Sequence, residues 1–242
     1  MSVLLISHNT PDIIETAAHD HGFRVVRMPK ADGMPEPVAS HPDMLLFAGF
    51  GKLFVRAAHM RDPAFADAVG EILGAVPALS LTLTSDEPSR QYPRDVAFNC
   101  AVIGGALVGR AESISSSVKR AASEAMLPTL DVAQGYTKCS TMILGSHTRS
   151  PIISADKNIH KLAESRGIPA YLIPPGNITL PGYDTGFIGG ASFFANGSIY
   201  FLGSLDTHPA CDKIKEAASA HGIGVVSLTD LPLFDAGCLY IE

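Results

Sequence analysis

The sequence has no tryptophan and little charge, since only 17% of its 242 residues are Asp, Glu, Lys or Arg. It also lacks any run of basic residues: its 18 Lys and Arg are outnumbered by 24 Asp and Glu, which gives a net charge of −6. Neutralising a nucleic-acid backbone requires clustered Lys and Arg side chains. We therefore expect no nucleic-acid partner.

Long apolar runs are missing as well. The opening apolar stretch, Val3 to Ile6, is too short for the core of a signal peptide and has no basic residue before it. No other stretch approaches the roughly 20 apolar residues that a membrane-spanning helix needs. The sequence therefore predicts a cytoplasmic protein without a membrane partner.

The cysteines and histidines show none of the usual metal-binding spacings. The four cysteines, Cys100, Cys139, Cys211 and Cys238, form no C-x-x-C pair, and no H-E-x-x-H pattern occurs. In a reducing compartment such cysteines are expected to be free thiols. The spacing predicts neither a bound metal nor another cofactor.

What the chain does contain is a repeated helix-then-strand pattern. Three similar segments end such a repeat: HGFRVVRM at 21–28, RGIPAYLI at 166–173 and HGIGVVSL at 221–228. Each follows a stretch in which apolar residues recur with helical spacing. Three polar residues stand where an N-cap is expected, Thr10, Asp156 and Thr207. Two weaker copies predict helices around 63–74 and 112–126.

Four of these helices follow a glycine-punctuated apolar stretch that predicts a β-hairpin. The four stretches are Met44–Val55, Val96–Val108, Cys139–Ser154 and Gly186–Leu202. The last turns at Asn196-Gly197, the strongest short hairpin signal. Before the first helix stands only the strand Val3–Ile6, and we expect the C-terminal strand Cys238–Glu242 to pair with it.

Five strand–strand–helix–strand modules predict a closed ring, because one such module cannot bury its apolar face alone. The fold class is therefore α/β, a five-module α/β propeller in one domain of residues 1–242, with both termini in one module. The competing interpretation is an open α/β sheet with parallel crossovers. The regular hairpin before the helices argues against it, since a parallel crossover needs no hairpin.

Four strings carry a resemblance to a known family. They are HPDMLLFAGFGKLFV at 41–55, YPRDVAFNCAVIGG at 92–105, QGYTKCS at 134–140 and GYDTGFIGGAS at 182–192. They resemble an uncharacterised bacterial family with the fold of the guanidine-modifying enzymes, the pentein fold. Arginine and agmatine deiminases, dimethylargininases and amidinotransferases of that fold attack a guanidinium carbon with a cysteine. The resemblance thus implies a small cationic, guanidino-bearing ligand.

The resemblance also implies two catalytic residues. In those enzymes the nucleophile lies near the C-terminus after glycine, as Cys238 does after Gly237. Their histidine opens a module as H-x-D, and His41-Pro42-Asp43 has that form, although the enzymes carry it later in the chain. Cys238 is then the nucleophile and His41 the acid/base.

Further polar residues stand at the starts of modules, where the first strand of each module points towards the ring axis. Those expected to bind substrate are Asp43, Asp95, Asn99, Lys138, Cys139 and Asp184, and Asp235 lies close to Cys238. Equally, short polar residues at strand starts satisfy turns and caps. Cys139 is a second candidate nucleophile, because the ammonium of Lys138 would favour its thiolate. Neighbours along a strand, however, point to opposite faces.

Two functions follow. The first is a cysteine-dependent hydrolase or amidinotransferase acting on a small guanidino or amidine compound. The second is a non-catalytic ligand-binding or assembly module that keeps the pentein shell. The single glycine before Cys238 and the early position of His41 favour the second. A homodimer is expected only because it is the commonest oligomer.

Overall fold

The computed structural model describes residues 2–242. In chain order its strands and helices are β1 (Val3–Ser7), α1 (Asp12–Asp20), β2 (Val25–Met28), α2 (Pro42–Leu45), β3 (Leu46–Gly49), β4 (Lys52–Arg56), α3 (Pro63–Ala75), β5 (Ser80–Thr84), β6 (Ala101–Ile103), β7 (Ala106–Gly109), α4 (Ser116–Glu124), β8 (Thr129–Asp131), β9 (Thr141–Ile143), β10 (Ile152–Ser154), α5 (Lys157–Ser165), β11 (Ala170–Leu172), β12 (Ser192–Ala195), β13 (Ser198–Phe201), α6 (Cys211–Ala220), β14 (Gly224–Ser227) and β15 (Leu239–Ile241). Within this part of the chain, no helix is both long enough and apolar enough to cross a membrane.

The strands form five sheets of three strands each. In four of them an antiparallel hairpin leads through a helix to a third strand, which pairs in parallel with the second hairpin strand. The fifth sheet joins the two ends of the chain. There β1 pairs antiparallel with β15, with Leu4 opposite Tyr240, and in parallel with β2. The predicted modules and the predicted pairing of the termini are confirmed.

Turn chemistry sets the register of the hairpins. Asn196 and Gly197 both adopt positive φ, 49° and 76°, as the two central residues of a type I′ turn require. Phe50 and Gly51 do the same between β3 and β4, with φ of 57° and 69°. The predicted Asn-Gly hairpin is therefore confirmed.

One of the three predicted helix caps is confirmed. The carboxylate of Asp156 accepts hydrogen bonds from the backbone N–H groups of Asn158 and Ile159, at 2.7 and 2.9 Å. The caps at Thr10 and Thr207 are wrong. The Thr10 hydroxyl pairs with that of Ser7 at the end of β1, and the Thr207 hydroxyl donates to the Ser204 carbonyl just before its own 3-10 turn. Their helices begin later, at Asp12 and Cys211.

The ring closes through its apolar side chains. Five clusters of buried residues each join two successive modules. One packs Leu4 of β1 against Phe193 of β12, and another packs Val3 against Leu46 of β3. The terminal module therefore contacts a neighbouring module on each side. The predicted ring of five modules is confirmed, and the competing interpretation of one open sheet is wrong.

Candidate functional site

Each of the five modules places the residues before its first strand in one buried region. His41 and Asp43 lie at the start of α2, just ahead of β3, and Asn99 precedes β6. The remaining contributions are Lys138 and Cys139 before β9, Gly189 and Gly190 before β12, and Asp235 and Cys238 before β15. Segments from all five modules can meet only at the ring axis. We call His41, Asp43, Asn99, Lys138, Cys139, Asp235 and Cys238 the axial cluster.

Asp43, Cys139 and Asn99 form the most closely connected part of the axial cluster. The Cys139 thiol donates to Asp43 Oδ2 at 2.8 Å. Asn99 Nδ2 donates to Cys139 Sγ at 3.1 Å, and Asn99 Oδ1 accepts from the Cys139 backbone N–H at 3.2 Å. All three residues are buried. The amide therefore fixes both the backbone and the sulfur of Cys139.

The Lys138 side chain connects Asp43 with the backbone of Cys238. Its Nζ donates to the carbonyl oxygens of Gly189, at 2.8 Å, and of Cys238, and lies 3.5 Å from Asp43 Oδ2. Lys138 and Cys139 both enter the cluster because they lie in a turn before β9. Alternation of side chains along a strand does not apply in a turn.

Burial raises the pKa of both thiols of the axial cluster, Cys139 and Cys238. It raises the pKa of Cys238 to about 12, with Lys138 opposing the shift. The pKa of Cys139 is raised well above its usual range by burial and by the carboxylates of Asp43 and Asp235, which together outweigh Lys138. Burial and the two carboxylates therefore oppose a thiolate at Cys139 in this structure, and its role as a second candidate nucleophile stays a prediction.

His41 packs against the residue that precedes Cys238. Gly237 has φ of +55°, and a Cβ there would lie 2.5 Å from His41 Cβ, so only glycine fits. Asp43 N–H donates to the Gly237 carbonyl at 3.2 Å. Asp235 holds the same loop through the Gly237 N–H at 2.9 Å, and its Oδ1 lies 3.8 Å from His41 Nδ1. The two residues implied as catalytic are therefore neighbours.

Asp95 lies beside the axial cluster under an aromatic stack. Its Oδ2 accepts from the Tyr136 hydroxyl at 2.8 Å, and burial raises the pKa of the Asp95 carboxyl. The Tyr136 ring stacks between Tyr92 and Phe187, with centroids 5.6 and 6.0 Å away. Tyr136 was missed from the sequence, although it stands two residues before Lys138 in the string QGYTKCS.

Comparison with known proteins identifies the family of this chain. The model of a family of unknown function, DUF6873, matches residues 5–240. The chain belongs to this family. Among curated proteins, no sequence matches that of this DUF6873 protein.

Solved structures show its fold. DDAH from Pseudomonas aeruginosa, a cysteine-to-serine mutant complexed with citrulline, is similar at 9% identity and a TM-score of 0.54, covering 94% of this chain and 91% of that one. SxtG, an amidinotransferase from Microseira wollei in the saxitoxin biosynthetic pathway, is similar at 13% identity and a TM-score of 0.56, covering 96% and 82%. This DUF6873 protein therefore has the pentein fold, as predicted.

Asp184 is the one predicted substrate-binding residue that stands apart. It is exposed and lines a surface cavity of about 500 Å³ together with Tyr183, Thr207 and Pro232. In its module the axial position is taken by Gly189 and Gly190 instead. The structure does not bring Asp184 to the other predicted site residues.

A cavity of about 190 Å³ borders Cys238. Its lining includes Ser192, Phe193, Tyr240, Lys138 and Cys238. The Cys238 thiol donates to the Ser192 carbonyl at 3.3 Å. Small molecules that enter this cavity therefore meet a wall containing both Cys238 and Lys138.

Three buried polar atoms in or beside the axial cluster have no hydrogen-bond partner within residues 2–242. They are His41 Nδ1, Asp43 Oδ1 and Asp95 Oδ1. A buried polar atom without a partner costs about 1–3 kcal/mol, so each of these three atoms would be stabilised by a bound water, ion or ligand group. One ligand atom from each of His41, Asp43 and Cys139 also lies within 4.8 Å of the others, a group that could hold a metal ion.

Proposed function

We propose that this protein binds a small guanidino or amidine cation at the axial cluster and that Cys238 attacks its central carbon. The protein is then a hydrolase or an amidinotransferase. The observation that carries the proposal is the pair of buried carboxylates, Asp43 and Asp95, each with an unpartnered oxygen in the region that residues 2–242 describe. A planar cation with several N–H donors matches such acceptors.

The charge of the region supports a cationic ligand. With all three ionised, the buried carboxylates of Asp43, Asp95 and Asp235 outnumber the two cations, Lys138 and the buried Arg56, by one charge. Burial raises the pKa of Asp43 and Asp95, so a nearby cation is needed to keep both ionised. Arg56 donates to the backbone carbonyls of Met44 and Asp95 and stacks on an aromatic ring, and within residues 2–242 its guanidinium forms no direct carboxylate pair. A bound monocation would neutralise the excess, and a neutralised buried cluster is less costly.

In the proposed reaction the Cys238 sulfur forms a bond to the guanidino carbon while the bond from that carbon to the leaving amine breaks. His41 carries the thiol proton to the leaving nitrogen. Water then adds to the S-bound carbon, the carbon–sulfur bond breaks, and the thiol and a ureido product form. With an amine in place of water, the amidino group is transferred instead.

The ligand itself activates the nucleophile in this scheme. Burial holds the pKa of Cys238 at about 12, so the thiol is protonated near neutral pH. A cation bound beside it favours the thiolate, because an opposite charge within a few ångströms stabilises the charged form. Attack then depends on a correctly bound substrate.

A second candidate function is binding of the same cation without chemistry. It is favoured by the complete burial of Cys238 and by its raised pKa of about 12. Protonated buried thiols are usually inert. The two functions share the ligand and differ only in the covalent step.

Binding of small guanidino compounds tests the ligand. We expect calorimetric titration with a panel of methylguanidine, agmatine and arginine to find a binder, and Asp43→Asn to weaken it at least about tenfold, the loss of one charge-assisted hydrogen bond. The chelator EDTA is kept in every solution. Asp230→Asn, which removes an exposed carboxylate, is the matched control and should bind as the wild type does. Equal affinity in Asp43→Asn would contradict the proposal.

A further inference from the structure

Cys139 has no part in the proposed reaction, yet its sulfur is among the most elaborately held atoms of the axial cluster. It donates to Asp43 Oδ2 at 2.8 Å and accepts from Asn99 Nδ2 at 3.1 Å. A structural cysteine needs only apolar neighbours. Here the Asn99 N–H donates to the sulfur, which supports a thiolate, whereas the Asp43 carboxylate opposes one unless a cation lies between the two.

Two neighbours of Cys139, His41 and Asp43, offer further atoms that could bind a metal ion. One ring nitrogen of His41, one carboxylate oxygen of Asp43 and Cys139 Sγ all lie within 4.8 Å of one another. Nitrogen, oxygen and thiolate sulfur are the donors that zinc takes in proteins, at about 2.0–2.3 Å. Tetrahedral geometry at those lengths separates ligand atoms by roughly 3.3–3.6 Å. Because Cys139 Sγ lies 2.8 Å from Asp43 Oδ2 and no pair of these donors is more than 4.8 Å apart, changes of up to about 1.5 Å in their separations would arrange the three around one ion.

The donors are buried and incompletely satisfied. His41 and Asp43 are 2% and 1% exposed. Asp43 Oδ1 and His41 Nδ1 lack a hydrogen-bond partner within residues 2–242. The lone pairs of Asp43 Oδ1 therefore accept no hydrogen bond in the part of the chain that the structure describes, and His41 Nδ1 neither donates nor accepts one there. A metal ion bound by both side chains would compensate for these missing hydrogen bonds.

The surrounding charges also fit a divalent ion. With Cys139 as a thiolate, the anions are Cys139, Asp43 and Asp235, and Lys138 with a divalent cation balances them. Lys138 is held in place by the carbonyl oxygens of Gly189 and Cys238. Asn99 supplies the N–H donor that metal-bound thiolates receive from residues behind the ligands.

We propose that His41, Asp43 and Cys139 form a binding site for Zn²⁺ with a fourth coordination position left open. Binding releases the Cys139 thiol proton to solvent and involves no oxidation or reduction. Three protein ligands with one open position are typical of a zinc that binds water or a small ligand. Because Asp43 is shared, zinc and a guanidino cation exclude each other.

The test measures zinc alone, with no guanidino compound present. Protein stripped with EDTA and kept reduced is titrated with Zn²⁺ against a chromophoric chelator, and bound zinc is counted by mass spectrometry of the metal. We expect one zinc per chain. Cobalt in the same site should give a thiolate-to-metal charge-transfer band, which a site of histidines and carboxylates alone lacks.

Variants assign the ligands. Cys139→Ser and Asp43→Asn should each lower zinc affinity by about 10²-fold or more, and Asn99→Ala, a positioning residue, by about 10–100-fold with a shifted cobalt band. Cys211→Ser on α6 is the matched control and should keep full affinity, and circular dichroism of each variant verifies folding. Zinc retained by both folded ligand variants, or less than stoichiometric zinc in the wild type, would overturn the site. Neither outcome bears on guanidino binding, which is measured in EDTA.

Discussion

Cys238→Ala is expected to lower turnover of the guanidino substrate by about 10³-fold or more while leaving its Kd within about threefold. The sulfur that forms the covalent bond is removed, whereas Asp43 and Asp95, which hold the cation, are unchanged. No second thiol can replace it, since the Cys139 thiol is directed at Asp43. The measurement is single-turnover kinetics on the substrate that the binding panel identifies, together with calorimetry of the variant.

Two further variants control this result. Cys211→Ala removes a partly exposed thiol at the start of α6 that donates to Asp206 instead of to any residue of the axial cluster, and this variant should keep full turnover. Cys139→Ala tests the other candidate nucleophile. Turnover retained by Cys238→Ala but lost in Cys139→Ala would transfer the nucleophile to Cys139. Turnover retained by both would exclude a covalent mechanism through either thiol.

Gly189→Ala is expected to destabilise the protein by about 3 kcal/mol or more. A Cβ at this position would lie 2.3 Å from the Thr141 carbonyl oxygen and 2.5 Å from that of Lys138. Both obstacles are backbone, so no side chain can rotate away. The segment carrying Lys138 and Cys139 must move, and ligand binding should weaken along with stability. Urea unfolding, with the midpoint and slope compared between variants, measures the loss.

Gly70→Ala is the matched control for that change. Gly70 lies inside α3, and a Cβ there would meet nothing within 4 Å. Alanine in a helix interior is favoured over glycine by about 0.5–1 kcal/mol, so this variant should be slightly more stable than the wild type. Equal stability of Gly189→Ala and the wild type would show that the axial backbone is loosely packed.

The modules were predictable because each rests on local patterns. Helical spacing of apolar residues, the Asn196-Gly197 turn and the unpaired strand at Val3–Ile6 were sufficient to predict the ring. The ring also explains why His41 reaches Cys238 from an early module. The terminal module containing β15 has neighbours on both sides, and the module of His41 is one of them. Order along the chain therefore does not measure distance from the C-terminal cysteine.

Which residue of each string reaches the axis could not be read from the sequence. In GYDTGFIGGAS the axial residues are Gly189 and Gly190, which contribute backbone groups rather than a side chain. The Gly190 carbonyl accepts from the Ala236 and Cys238 N–H groups, at 3.1 and 3.2 Å. Asp184 carries the more obvious chemistry but lies too far ahead of β12. The single domain, the homodimer, the cytoplasmic location and the individual residue roles stay predictions.

The central claim, that the axial cluster directs a guanidinium-like cation onto Cys238, is tested most directly with a pair of alkylating reagents. Chloroacetamidine is a planar cation, and chloroacetamide is its neutral counterpart of nearly equal size. Labelling of each cysteine is followed by mass spectrometry on the native protein. Because the pKa of Cys238 is about 12, its labelling by the neutral reagent should rise about tenfold per pH unit between pH 7 and 10.

We expect chloroacetamidine to label Cys238 at least about tenfold faster than chloroacetamide does at pH 7, because a bound cation stabilises the thiolate. Cys211, which is not in the axial cluster, serves as the internal reference and should show no such preference. Asp43→Asn should remove most of the preference at Cys238. Equal rates for the two reagents at Cys238, or a preference confined to another cysteine, would contradict the account.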